Sequence, residues 1–103
     1  MTHIPETYYV VCDYGKNGRE SIINWEDCSK QAAILAITRG QCETPLEVHC
    51  IDRNDGTWRD VSEDIARDIA GDLREYPEGN LCDFLETHLG HEFMADMKRE
   101  MAA

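Results

Sequence analysis

LEVHCIDRNDGTWRDVSEDIARDIAGDL, residues 46–73, is the stretch on which the fold turns. Its first eight residues alternate, with Leu46, Val48 and Cys50 on one side, the pattern of a half-buried strand. Asn54-Asp55-Gly56 is a tight-turn signal, and TWRDV (57–61) returns as the partner strand. The apolar period then changes from two to 3.6. Ile65, Ile69, Leu73 and Tyr76 share one side of a helix predicted over 63–76, with Ser62 as its cap and Pro77-Glu78-Gly79 as its stop.

The same logic extends upstream. TYYVVCDY (7–14) alternates, with Tyr8, Val10, Cys12 and Tyr14 on one face. GKNG (15–18) is a turn and RESIINW (19–25) a returning strand, which makes a second hairpin. A helix follows, capped by Asp27 or Ser29 and ended by Gly40. Its centre, AAILAI (32–37), is apolar nearly all round and should be well buried. Downstream, Asn80 can cap a last helical stretch in which Leu81, Leu85, Leu89, Phe93, Met97 and Met101 recur at i, i+4. Gly90, in HLGH, is expected to divide it as a C-cap glycine. The predicted order is ββαββαα. That implies an α+β fold in which two β-hairpins form an antiparallel sheet with three or four helices packed on one face. At 103 residues the chain is read as a single domain, 1–103.

Composition narrows the function classes. There are 21 acids against 10 bases, a net charge of −11. Direct nucleic-acid or anionic-membrane binding needs basic surface and is excluded as an expectation. The imbalance is uneven: residues 1–51 carry 7 acids and 4 bases, residues 52–103 carry 14 and 6. No apolar run approaches the ~20 residues that span a bilayer. MTHIPETYY lacks the basic start and apolar core of a signal peptide. A cytoplasmic protein is therefore expected, with its five cysteines (12, 28, 42, 50, 82) reduced.

The acids are patterned. With Ile65 at zero on a helical wheel, Asp64, Glu75, Asp68 and Asp72 fall at roughly −100°, −80°, −60° and −20°. No base shares that arc; Arg67 and Arg74 lie behind it, where Glu63 can pair with Arg67. Like charges at i, i+4 cost about 0.2–0.5 kcal/mol per pair, so the row is not the cheapest polar face. The last segment repeats the arrangement. Glu92, Asp96 and Glu100 each precede an apolar residue (Phe93, Met97, Met101), as Asp64, Asp68 and Asp72 precede Ile65, Ile69 and Leu73. Along each row the carboxylates climb by about 6 Å per step, a spacing able to stand in for a phosphate backbone. A merely solubilising face would normally mix signs.

Other chemistry is weakly signalled. In DRNDGTWRDVSE (52–63), Asp52, Asn54, Asp60 and Glu63 fit a calcium loop, but Gly56 and Thr57 stand where a ligand and the glycine belong. His88, His91 and Glu92, with Cys82, could share a metal, although a structural zinc site wants four ligands in closely spaced pairs. Cys28 near a helix start is opposed by Glu26 and Asp27. Cys12 and Cys50 read as small core residues, and His49 points away from Cys50 on its strand. No P-loop, G-x-G-x-x-G, G-x-S-x-G or H-E-x-x-H is present, and no cofactor is implied.

The leading expectation is a small non-catalytic binding protein. Asp64, Asp68, Asp72, Glu75, Glu92, Asp96 and Glu100 would occupy a basic, nucleic-acid-binding surface of a partner protein. The profile is that of anti-CRISPR proteins and other DNA-mimic inhibitors: short, intracellular, acidic and without catalytic motifs. Two alternatives are an accessory protein that homodimerises through the Met-rich C-terminal helix, and a metal or thiol site built on His88, His91, Cys82 or Cys28.

Overall fold

The computed structural model describes residues 6–13, 19–22, 29–39, 42, 44–52 and 54–102, with the backbone alone for 19–22. Strands β1 (Glu6–Asp13), β2 (Arg19–Ile22), β3 (Pro45–Asp52) and β4 (Trp58–Asp60) form an antiparallel sheet in the order β2-β1-β3-β4. The helices are α1 (Lys30–Thr38), α2 (Ser62–Asp72), α3 (Gly79–Leu89) and α4 (His91–Ala102). The class is α+β, as expected. The element order differs from ββαββαα, because three helices rather than two follow β4. Gly90 is the reason: at φ 95° it stops α3, and its N–H donates to the Glu86 carbonyl in the manner of a C-terminal glycine.

Backbone hydrogen bonds close the β3–β4 turn. The N–H of Asp52 donates to the Thr57 carbonyl at 2.9 Å, and that of Gly56 to the Asp52 carbonyl at 2.8 Å. Gly56 takes φ +73°, a conformation that side chains resist. The Asp52 and Asp55 carboxylates accept from the backbone N–H groups of Asn54 and Thr57, so Asp52, one of the four residues that fit a calcium loop, serves the turn itself. The expected turn at 15–18 and the expected strand positions 23–25 lie outside the described residues, as do Asp27, Cys28 and Gly40. Ser29 caps α1, its hydroxyl accepting from the N–H of Ala32 at 3.2 Å. The expected burial of 32–37 is one-sided: Ala33, Ala36 and Ile37 are buried, while Ile34 and Leu35 are half-buried.

Two boundaries of α2 depart from the expectation. Ser62 is the first residue of the helix, not its cap, and is buried. Its hydroxyl accepts from the N–H of Val48, 14 positions back, at 2.8 Å. The helix ends at Asp72, four residues early, where Leu73 turns to an extended ψ of 138°. Gly71 weakens the last turn, and Pro77 disfavours helix at Tyr76. Leu73 and Tyr76 still pack against the core, but from the connecting segment.

One core unites the layers. Val10, Val48 and Cys50 from the sheet meet Ala36 and Ile37 of α1, Ile65 and Ile69 of α2, Phe84 and Leu85 of α3, and Met94 of α4. In α3, His88 donates from Nε2 to the Leu46 carbonyl at 2.7 Å, which ties that helix to β3. A disulfide joins Cys12 to Cys42, 30 positions apart. The expectation of five reduced cysteines is thereby corrected. A pairing of this kind persists in oxidising surroundings, so cysteine content no longer argues for a reducing compartment. No helix of the described residues is long and apolar enough to cross a membrane.

Candidate partner-binding surfaces

The apolar sides of α2 and α4 determine where the acids point. Ile65, Ile69 and Met97 are buried, which leaves Asp64, Asp68, Asp72, Glu92, Asp96 and Glu100 exposed on their helices. Glu75 is exposed too, but it sits beyond the end of α2 and does not continue the row. Asp68 pairs with Lys30 of α1, and Asp96 pairs with Arg99 one turn on. Among the described residues, Asp64, Asp72, Glu75, Glu92 and Glu100 form no ion pair.

The two rows do not share a rim. A groove of ≈ 670 Å³ is lined by Arg67, Gly71 and Leu73 on one side and by Phe93, Asp96, Met97, Glu100 and Met101 of α4 on the other. Asp96 and Glu100 therefore border the groove. Asp64, Asp68 and Asp72 lie on the opposite flank of α2, the flank that meets Lys30 of α1. Arg67, on the groove side, is paired with Glu63.

The alternative surfaces are smaller than the sequence suggested. Met94 and Met97 are 1% and 8% exposed, so the Met-rich stripe is mainly core. Phe93, at 38% exposed, is the large apolar residue it leaves outside. Of the two histidines considered for a metal site, His88 is engaged by the Leu46 carbonyl and His91 is exposed at the start of α4. Cys82 lies 3.9 Å from the Tyr76 hydroxyl.

Cys50 is fully buried and free. Its thiol donates to the Glu6 carboxylate at 3.2 Å. Burial first, and then that hydrogen bond, push the thiol up from its ordinary range, so it stays protonated and is a poor nucleophile. Glu6 is held low by the donors Cys50 and Arg59. Tyr8, opposite Cys50 in the sheet, is pushed up to about 12, chiefly by burial and then by Cys50 and Glu6.

A second surface lies on the other side of the sheet and was not anticipated. The register places Tyr9 opposite His49 and His49 opposite Asp60, with Ile51 opposite Trp58. Tyr9 and Trp58 stack with ring centroids 5.8 Å apart and planes 12° apart. The indole N–H of Trp58 donates to Nδ1 of His49 at 2.9 Å, and Nε2 of His49 reaches Glu47 at 2.7 Å. Ligand atoms of Glu47, His49 and Asp60 all lie within 4.8 Å of one another. Trp58 is 62% exposed. The signal available in the sequence was alternation: if Val10 and Cys50 face inward, Tyr9 and His49 face outward. The contribution of Trp58 required the register of the β3–β4 turn as well.

Comparison with known proteins found no family model, no curated protein and no solved structure that matches this chain.

Proposed function

We propose that this is a small acidic, non-catalytic binding protein that occupies a basic, nucleic-acid-binding surface of a partner protein, as DNA-mimic and anti-CRISPR-type inhibitors do. One observation carries the reading. Asp72 ends α2, and Glu100 lies in the last turn of α4. An acid at a helix C-terminus opposes the macrodipole, at a cost of about 0.3–1 kcal/mol each. Neither has an ion-pair partner among the described residues, and both stand exposed. Within a net charge of −11, such carboxylates are available to the Arg and Lys side chains that otherwise hold phosphates. The α2 row and the α4 row, on separate flanks, would serve as two contact strips. Action on a nucleic-acid-binding protein would place the chain in the cytoplasm, where Cys12–Cys42 would be open to reduction.

The test combines salt, competition and charge reversal. Retention of a basic nucleic-acid-binding protein should weaken steeply between about 0.05 and 0.5 M salt, and double-stranded DNA should displace it. The triple variant Asp64→Lys, Asp68→Lys, Asp72→Lys and the triple variant Glu92→Lys, Asp96→Lys, Glu100→Lys should each keep the native circular dichroism and lose the partner. Retention by both variants, or indifference to DNA, would contradict the proposal.

A further inference from the structure

We infer that the sheet surface around Trp58 is a binding site for an arginine side chain presented by a basic partner segment, with the guanidinium over the indole and its N–H groups on Glu47 and Asp60. This surface belongs to β1, β3 and β4, not to the helices that carry the acidic rows, and the inference does not depend on those rows.

The aromatic part is preorganised. Trp58 is 62% exposed, yet it is held in place by the stack on Tyr9 and by its hydrogen bond to His49. A large side chain already fixed loses little freedom when a ligand covers it. An exposed indole face attracts a cation through the ring quadrupole.

The charge calls for a cation. Glu47 and Asp60 are brought together with His49 within 4.8 Å, and neither carboxylate is paired with a lysine or arginine among the described residues. One Asp60 oxygen accepts from the N–H and the hydroxyl of Ser62, which fixes the carboxylate, and the residue stands exposed. His49 does not supply the missing charge. Its Nδ1 accepts the Trp58 N–H, so that nitrogen carries no proton and the ring is the neutral Nε2–H tautomer.

The same tautomer selects among cations. A metal on this side of His49 would need the Nε2 lone pair and a proton on Nδ1, and that proton would face the Trp58 N–H. A guanidinium needs no such rearrangement. It is planar enough to lie on the indole, and its fork of donors matches carboxylates better than an ammonium does. The net charge of −11 draws basic segments toward the molecule.

The experiment follows the indole N–H resonance of Trp58 by two-dimensional NMR; the chain has two tryptophans, and the signal is assigned by its loss in Trp58→Phe. The probes are the peptides GRGRGRG and GKGKGKG, and zinc chloride alone. The arginine peptide is expected to shift the resonance saturably, and the lysine peptide to bind at least about fivefold more weakly. Glu47→Gln, an isosteric change at a half-exposed position, should weaken the arginine peptide at least about threefold with circular dichroism unchanged. Asp64→Asn with Asp72→Asn should leave it unaltered, which separates this site from the helical rows. Equal binding of the two peptides, indifference to Glu47→Gln, or loss through the helical variant would overturn the inference as general attraction to an acidic protein. Saturable displacement of the peptide by zinc would overturn it in favour of a metal site.

Discussion

The hydroxyl of Ser62, at the first position of α2, accepts the N–H of Val48 in the middle of β3 at 2.8 Å. The carbonyl of Val48 accepts from the N–H of Val61 at 2.9 Å. Both backbone groups of Val48 thus point toward the chain leaving β4, and a side chain completes a ladder that β4 is too short to continue. Val48 is fully buried, so this bond has no water to replace it. Ser62→Ala should destabilise the fold by about 1–3 kcal/mol, the cost of an unsatisfied buried donor. Urea unfolding of the variant measures it, and a loss below about 0.5 kcal/mol would show that the bond matters little.

Asp60 sets an acid limit from the same corner. Burial alone would raise its carboxyl, but the hydroxyl and N–H of Ser62 outweigh that and hold it below its ordinary value of 3.8. A carboxyl depressed in the folded state contributes stability above its unfolded value and loses it as pH falls through the folded one. Stability should therefore decline as pH drops below about 4, with a shallower slope in Asp60→Asn. Chemical denaturation between pH 6 and pH 2 makes the comparison.

The Cys12–Cys42 disulfide closes a span of 30 positions. On the chain-entropy account such a loop contributes roughly 3–4 kcal/mol by restricting the unfolded chain. For a domain of this size, reduction should lower the thermal midpoint by roughly 10–20 °C. Calorimetry with and without a thiol reductant tests this, and an unchanged midpoint would contradict it.

Thr7 offers the opposite sign. It is 2% exposed, and its hydroxyl has no hydrogen-bond partner among the described residues. Thr7→Val keeps the shape and the β-branched preference for a strand while removing the unsatisfied group. A gain of about 1 kcal/mol is expected, read as a higher denaturation midpoint at unchanged slope.

Features encoded by near neighbours were legible. The alternation of 46–52, the glycine of the NDG turn, the inward face of α2 and the break at Gly90 rest on contacts a few residues apart. Misjudgements arose where a distant group competed for a local one. Ser62 has the chemistry of an N-cap, but Val48 claims its hydroxyl. Cys12 lies in the core as read, but it is not reduced, because the chain returns Cys42 beside it and the two are bonded. Glu75 fits the acidic arc only if α2 runs through 76, and Leu73 leaves the helix first. The acids were legible as exposed; their division between two flanks was not, because it depends on where α1 and α4 sit against α2.

By itself the sequence determined an α+β class, an acidic surface and the inward residues of each element, since periodicity and charge are properties of local chain geometry. Tertiary structure alone decided that Tyr9, His49, Trp58, Glu47 and Asp60 form one surface. Strand register and pairing bring those residues together across three strands, and no spacing along the chain encodes the distance between a tyrosine at 9 and a tryptophan at 58.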